Sequence, residues 1–369
     1  MKLGESRLFE NRRWRFVSFN AENLFIYFDE SPDEVYPHKK ARDLSEEEWR
    51  KLSRSTVENK ALSQVLEIAR SIDELDPDFL MLCEVGGRES LSNFSRYFLE
   101  DRYVPYLIEG NSDRGIDLGF LVKRNLPFKF DMISHKNRKL DFLYPHEKQS
   151  IDAGYTHIRS GRVKGHRFSR DVVELRCFGE SDEVPELIIM LVHLKSPLDR
   201  DRIDPGGRDR RRAEQEMLVK IYHEVRAEFS EKVPVMISGD FNGAIYGTLD
   251  SAGGGVPPDD EFEDIRGTDL KCCLEVAGVP NDERFTWIRV HNRRPNFSKQ
   301  LDYILVSPEL FPRVNHDETW VYRFRDESGF YRIIPRNQNE KRLLPSDHYP
   351  VVLTLNSVIE PSGEKPPRE

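Results

Sequence analysis

Residues 233–242 read VPVMISGDFN, running from Val233 to Asn242. The first half is a short apolar run, the pattern of a strand buried on both faces. It stops on Asp240, Phe241 and Asn242, so a rigid apolar strand carries a carboxylate and an amide at its tip. The same construction recurs along the chain. Apolar runs at Arg15 to Phe19, Phe79 to Cys83, Leu118 to Val122, Leu187 to Val192, Tyr303 to Val306 and Val351 to Leu355 are bounded by polar turns. Polar residues gather at their ends: Asn20 and Glu22 after the first, Glu84 after the second, His193 and Lys195 after the fourth. Asp302 opens the LDYILVS run, and Ser346, Asp347 and His348 precede the last strand. In an α/β sheet that is where ligands bind.

Helical patterns lie between these strands. A capping box formed by Ser55 and Glu58 predicts a helix with Val57, Ala61, Val65, Ile68 and Ala69 on one face, ended by Pro77. A second follows Gly206 and Gly207, with Leu218, Ile221, Tyr222, Val225 and Phe229 forming an apolar stripe. Strands mixed with helices predict an α/β layered architecture. No Pro/Gly/Ser-rich linker divides the chain, so a single catalytic domain over residues 1–360 is expected, with 361–369 a frayed tail. Residues 251–260 and 323–342 read as surface insertions.

Composition bounds the classes. Of 369 residues 38% are hydrophobic and 33% charged, and no apolar run approaches the ~20 needed to span a bilayer. The N-terminal MKLGESRLFENRRWRFVSF lacks the apolar core of a secretory signal, which points to the cytoplasm. Cys83, Cys177, Cys272 and Cys273 have no framework spacing; they read as reduced core thiols, and zinc is not implied. A net charge of -9 argues against coating nucleic acid through bulk electrostatics. Clustered carboxylates awaiting a cation would also make the count negative, so a polyanionic substrate that meets a local basic patch stays open.

Any one polar strand end has a plain explanation, because a carboxylate there caps the next turn and a lone histidine is more often structural. The ordered set carries more. NAEN at 20–23, LCE at 82–84, RGIDLGFL at 114–121, FSRD at 168–171, HLKS at 193–196, GDFN at 239–242, LDY at 301–303 and SDH at 346–348 together resemble the endonuclease/exonuclease/phosphatase superfamily. The resemblance covers roughly residues 15 to 355, and FSRD with HLKS points to the branch similar to deoxyribonuclease I and bacterial nucleases.

That resemblance implies a four-layer α/β sandwich, two mixed β-sheets face to face with helices outside. It implies Glu84 as principal metal ligand, with Glu22 and Asp347 near the cation directly or through water, and Asn20 near metal or phosphate. Magnesium suits an oxygen-rich set, with manganese as a substitute. His348 is expected to be polarised by Asp302, and His193 to be oriented by Asp117, giving two Asp/His pairs whose division of labour the sequence leaves open. Arg170 is assigned to a phosphate oxygen, against the alternative of a surface ion pair with Asp171 or Glu174. Asp240 is expected to orient water and Asn242 to donate to the phosphate.

The expected activity is hydrolysis of nucleic-acid phosphodiesters, DNA favoured over RNA, endo or exo cleavage left open and no stable membrane association. Phosphoinositide, sphingomyelin and free nucleotide substrates are the first alternative, because fold does not determine substrate. A non-catalytic binding module is disfavoured because every expected polar position holds a chemically competent residue. Arg208, Arg210, Arg211 and Arg212 suggest a DNA-binding strip, but Asp209 and Glu214 interleave them and a solvated helix face is preferred.

Overall fold

The strand runs read above become two six-stranded sheets. The computed structural model describes residues 12–53, 56–154, 166–199, 202–229, 233–250, 253–291 and 296–357. In chain order its strands are β1 (Trp14–Leu24), β2 (Phe79–Val85), β3 (Tyr103–Leu107), β4 (Asp117–Lys123), β5 (Lys129–Ser134), β6 (Val172–Phe178), β7 (Leu187–His193) and β8 (Val235–Asp240). Then come β9 (Thr248–Leu249), β10 (Gly255–Val256), β11 (Lys271–Cys272), β12 (Trp287–Arg289), β13 (Phe297–Lys299), β14 (Asp302–Val306), β15 (Trp320–Val321) and β16 (Val351–Leu355).

One sheet runs β15-β16-β1-β2-β4-β3 and the other β11-β14-β8-β7-β6-β5. Each is built on one parallel pair, β1 with β2 and β7 with β8, flanked by antiparallel strands. A parallel pair needs a crossover. The helix Leu62–Leu75 provides it in the first sheet and Arg208–Phe229 in the second. The sheets meet face to face: β2 and β1 pack on β7, β8 and β14, around a continuous apolar core that includes Phe16, Phe79, Met81, Ile189, Leu191 and Ile237. Strands buried on both faces read as unbroken apolar runs, which is why these were visible in the sequence.

This topology places the polar residues. The parallel strands β1, β2, β7 and β8 deliver their C-terminal ends to one edge, and the antiparallel strands β4, β6, β14 and β16 deliver their N-terminal ends to it. Residues after the first group and before the second therefore share one rim, with Asp240 and Asp302 directly opposite in register.

One helix differs from its expected start. Ser55 lies outside the described residues, while 58–61 run extended and the helix begins at Leu62. Tertiary contacts hold residues 59 and 60 out of the helix: the Lys60 amide donates to Phe25 O, and the Asn59 side chain bonds both backbone groups of Tyr27. The open amides of Leu62 and Ser63 donate instead to the Glu46 carboxylate. The 361–369 tail lies outside the described residues, as do Ser251 and Ala252 of the first expected insertion.

Candidate active site

Backbone geometry aims the rim side chains. Glu22, Asn23, Glu84 and Asn242 all have positive φ, between 48° and 62°, a region that non-glycine residues occupy at a cost of order 1–3 kcal/mol. The β1–β2 register shifts between Asn20 and Leu24, and the β2–β4 register between Cys83 and Val85, so bulges turn Glu22 and Glu84 out of the ladder. Gly239 answers a different demand. A Cβ there would lie 1.9 Å from Val192 O, so only glycine lets β8 close on β7 just before Asp240.

The Asn20 side chain ties the two sheets together. Its Nδ2 donates to Asp240 Oδ2 at 3.0 Å, while its Oδ1 accepts the Glu22 amide at 3.0 Å. Asp240 is 1% exposed, and its Oδ1 also accepts the Asn242 amide at 2.8 Å. Burial pushes its carboxyl up to about 7, against the pull of the His348 charge. Asn242 donates its side-chain amide to Leu194 O, which fixes the turn after β7.

His348 Nδ1 donates to Asp302 Oδ2 at 2.7 Å, and its Nε2 lies 3.8 Å from Asp347. Burial opposes its charge, but the Asp302, Asp240 and Asp347 carboxylates outweigh it and raise its pKa well above the ordinary value. His193 goes the other way: burial and the Arg170 charge lower its pKa, so it stays neutral. The expected pairing of His193 with Asp117 is not formed. His193 Nε2 lies 3.6 Å from Asp240 and 4.0 Å from Glu84, its Nδ1 has no partner among the described residues, and Asp117 accepts the Gly110 amide at 2.8 Å. The register explains this, because β7 and β8 are parallel neighbours that set His193 opposite Asp240.

Three carboxylates, Glu22, Asp347 and Glu84, surround the buried Lys60 ammonium. Glu84 accepts the Asn23 amide and Glu22 the Asp347 amide. Burial and the facing Asp347 charge raise the Glu22 pKa. Burial works against Asp347, yet the His348 and Lys341 charges hold its pKa low. Two cations that the sequence reading did not single out temper this cluster: Lys60, buried with Nζ on Glu22 O at 2.7 Å, and Lys341, 3.1 Å from Asp347. Trp287 Nε1 donates to Asp347 at 3.2 Å. Lys341 belongs to the expected surface insertion 323–342, and no local pattern marked it or Lys60.

Glu22 and Asp347 crowd like charge on oxygen-only donors, which suits a hard divalent cation, and these two with Glu84 could hold one through water. Among the described residues the group whose ligand atoms all lie within 4.8 Å of one another is a different one, Asp240, Asp302 and His348. Its atoms already serve the His348–Asp302 and Asn20–Asp240 bonds, so the first set fits a hydrated ion better.

Arg170 is 8% exposed, and no carboxylate lies within ion-pairing distance among the described residues. Its Nη1 donates to Ser169 Oγ, and its Nε has no partner there. The surface ion pair is therefore excluded: Asp171 binds Ser134 and the Val172 amide, and Glu174 is buried between His135 and Arg176. Burial raises the Asp171 carboxyl to about 6. A pKa raised on folding gives stability that is full below ~4 and lost as pH rises through 6, worth up to about 3 kcal/mol. Asp171→Asn should accordingly raise the denaturation midpoint at pH 8 by an amount that shrinks to nothing below ~4, measured by urea unfolding across pH; an unchanged pH profile would refute this.

Two face-to-face mixed sheets with helices outside and a carboxylate–imidazole cleft on one rim define a four-layer phosphoesterase-type sandwich. The chain belongs to the Endonuclease/Exonuclease/phosphatase family, whose model matches residues 18–348. No curated protein matches it. Among solved structures it is similar to TDP2 from Caenorhabditis elegans, with 18% identity over 95% of this chain and 76% of that one, TM-score 0.52. It is also similar to the human Nocturnin catalytic domain with bound sulfate, at 15% identity over 93% of each and TM-score 0.52. The TDP2 of D. rerio complexed with single-strand DNA product aligns at 14% identity over 93% of this chain and 99% of that one, TM-score 0.51. At these identities the likeness concerns the fold. No helix among the described residues is long and apolar enough to cross a membrane.

Proposed function

We propose that the chain is a magnesium-dependent phosphodiesterase that hydrolyses nucleic acid, DNA in preference to RNA, with manganese as a substitute ion. One observation carries this reading. Of the buried polar atoms without partners among the described residues, Arg170 Nε, His193 Nδ1 and Asp302 Oδ1 belong to residues at the strand ends of the rim that bears Glu84. Buried polar groups are normally satisfied. A guanidinium, a neutral imidazole and a carboxylate left open together suit a phosphodiester and its attacking water. The four buried free cysteines fit a reducing compartment, and we place the protein in the cytoplasm.

A divalent cation on Glu84, Glu22 and Asp347 would supply charge neutralisation at the phosphate. The remaining work falls to this chain's own groups. Asp240, with a carboxyl near neutrality and braced by Asn20, orients water and takes its proton. His348, fixed through Nδ1 by Asp302, presents Nε2 to stabilise developing charge and protonate the leaving oxygen. His193 and Asn242 hydrogen-bond the phosphate, and Arg170 neutralises it.

The test is incubation of purified protein with supercoiled plasmid, linear duplex, single strands and RNA, under magnesium, manganese and chelator. Metal-dependent cleavage of DNA is the expected result. Phosphate release from an inositol lipid with every nucleic acid untouched would reject the reading.

A further inference from the structure

A cleft of about 650 Å³ opens beside Arg170, between the loop carrying Asn111 to Arg114, the FSRD turn and the approach to the helix Arg208–Phe229. Its size is that of a small-ligand site. Arg114, Arg167, Arg170, Lys195 and Arg210 line it in a chain of net charge -9. The first four have no carboxylate within 4 Å among the described residues. Arg114 donates to Asn23 Oδ1 and Arg167 to Asn137 Oδ1, while Lys195 donates to the Ser196 and Leu198 carbonyls.

The acids that share the cleft are otherwise engaged. Asp199 accepts the Ile203 and Asp204 amides, and Asp204 accepts those of Asp209 and Arg210. Buried Glu214 lies beneath, 3.3 Å from Arg210, accepting the Ser169 and Lys195 amides and so joining the two loops that carry the cations. Asp113 is exposed at the rim. The cleft is continuous with the reaction centre: Arg114 grips Asn23, whose amide binds Glu84, and Arg170 borders both.

We infer that this cleft is a second phosphate subsite, which binds the sugar-phosphate backbone of a nucleic-acid strand next to the scissile bond, with Arg114, Arg167 and Lys195 as its ligands. This rests on the nucleic-acid reading above. An anion is drawn there by cations that are held in place by backbone and amide acceptors, with no acid to displace. Arg208 and Arg211 are not among its ligands, since both pair with Glu261 and neither lines the cleft.

The experiment compares two substrates under magnesium: bis(p-nitrophenyl) phosphate, a single diester, and a single-stranded oligonucleotide of about twelve nucleotides. In Arg114→Ala and Arg167→Ala, and in their double variant, the ratio of oligonucleotide to small-diester kcat/KM should fall by ~10-fold or more. The salt dependence of oligonucleotide cleavage should flatten by about 0.7 in log–log slope per cation removed. Equal losses on both substrates, or an unchanged salt slope, would overturn the subsite and leave the phosphodiesterase reading intact. Wild-type protein that hydrolyses the small diester but no oligonucleotide would instead reject the nucleic-acid reading and the subsite with it. Inositol hexakisphosphate inhibiting diester cleavage more strongly than a charge-matched oligonucleotide would assign the cleft to a polyphosphate headgroup and overturn it too.

Discussion

Glu84→Gln should lower turnover by roughly 100- to 1,000-fold or more, the scale of removing one transition-state electrostatic contact worth about 3 to 4 kcal/mol. The reason is positional. A bulge and a left-handed backbone at Glu84 turn its carboxylate out of the ladder, where it accepts the Asn23 amide, and an uncharged amide there retains the shape while removing charge from the proposed ligand set. The fold should survive, because Glu84 lies at the rim and a buried apolar core holds β2. Two measurements separate this from general damage. The melting temperature without metal should stay the same, since Glu84 carries no part of the core. Magnesium should raise the wild-type melting temperature by binding the native state, and most of that effect should be lost in the variant. Undiminished turnover would sink the metal assignment, and an intact magnesium-induced shift would move the ion to Asp240, Asp302 and His348.

His348→Ala should cost about 100- to 10,000-fold in turnover, the range for losing a positioned proton-transfer group. Asp302→Asn should cost a substantial part of that loss. The 2.7 Å bond to Nδ1 sets which imidazole nitrogen carries the proton toward the phosphate, and an amide can hold the ring in the wrong tautomer. His193→Ala should fall in the same range by a different route, as a neutral donor beside Asp240. Because both histidines serve one transition state, the His193/His348 double variant should lose less than the product of the single losses. His348→Ala with unchanged turnover would overturn this division of labour and leave the fold untouched.

The sequence by itself determined the strands that carry the site. β1, β2, β4, β7, β8, β14 and β16 are central, and their continuous apolar runs had no other reading. It did not reveal β3, β5 or β6. β6 reads VVELRCF, and its buried Glu174 makes sense only with Arg176 two residues on along the same face and with His135, which lies elsewhere in the chain. The polar residues at strand ends were likewise legible, because tip residues are adjacent in sequence to the runs that place them.

Tertiary structure alone decided what each of those residues meets. It put His193 opposite Asp240 and left Asp117 to a backbone amide, because strand register sets neighbours across the sheet. It brought Lys60 and Lys341 to the acidic cluster from a loop and an insertion with no motif, and it began the helix at Leu62 because the Lys60 amide is held by Phe25 and the Asn59 side chain by Tyr27. Periodicity records which side of an element is buried, and so determines elements. Contacts between residues distant in the chain leave no trace in periodicity, and the chemistry of this rim is made of such contacts.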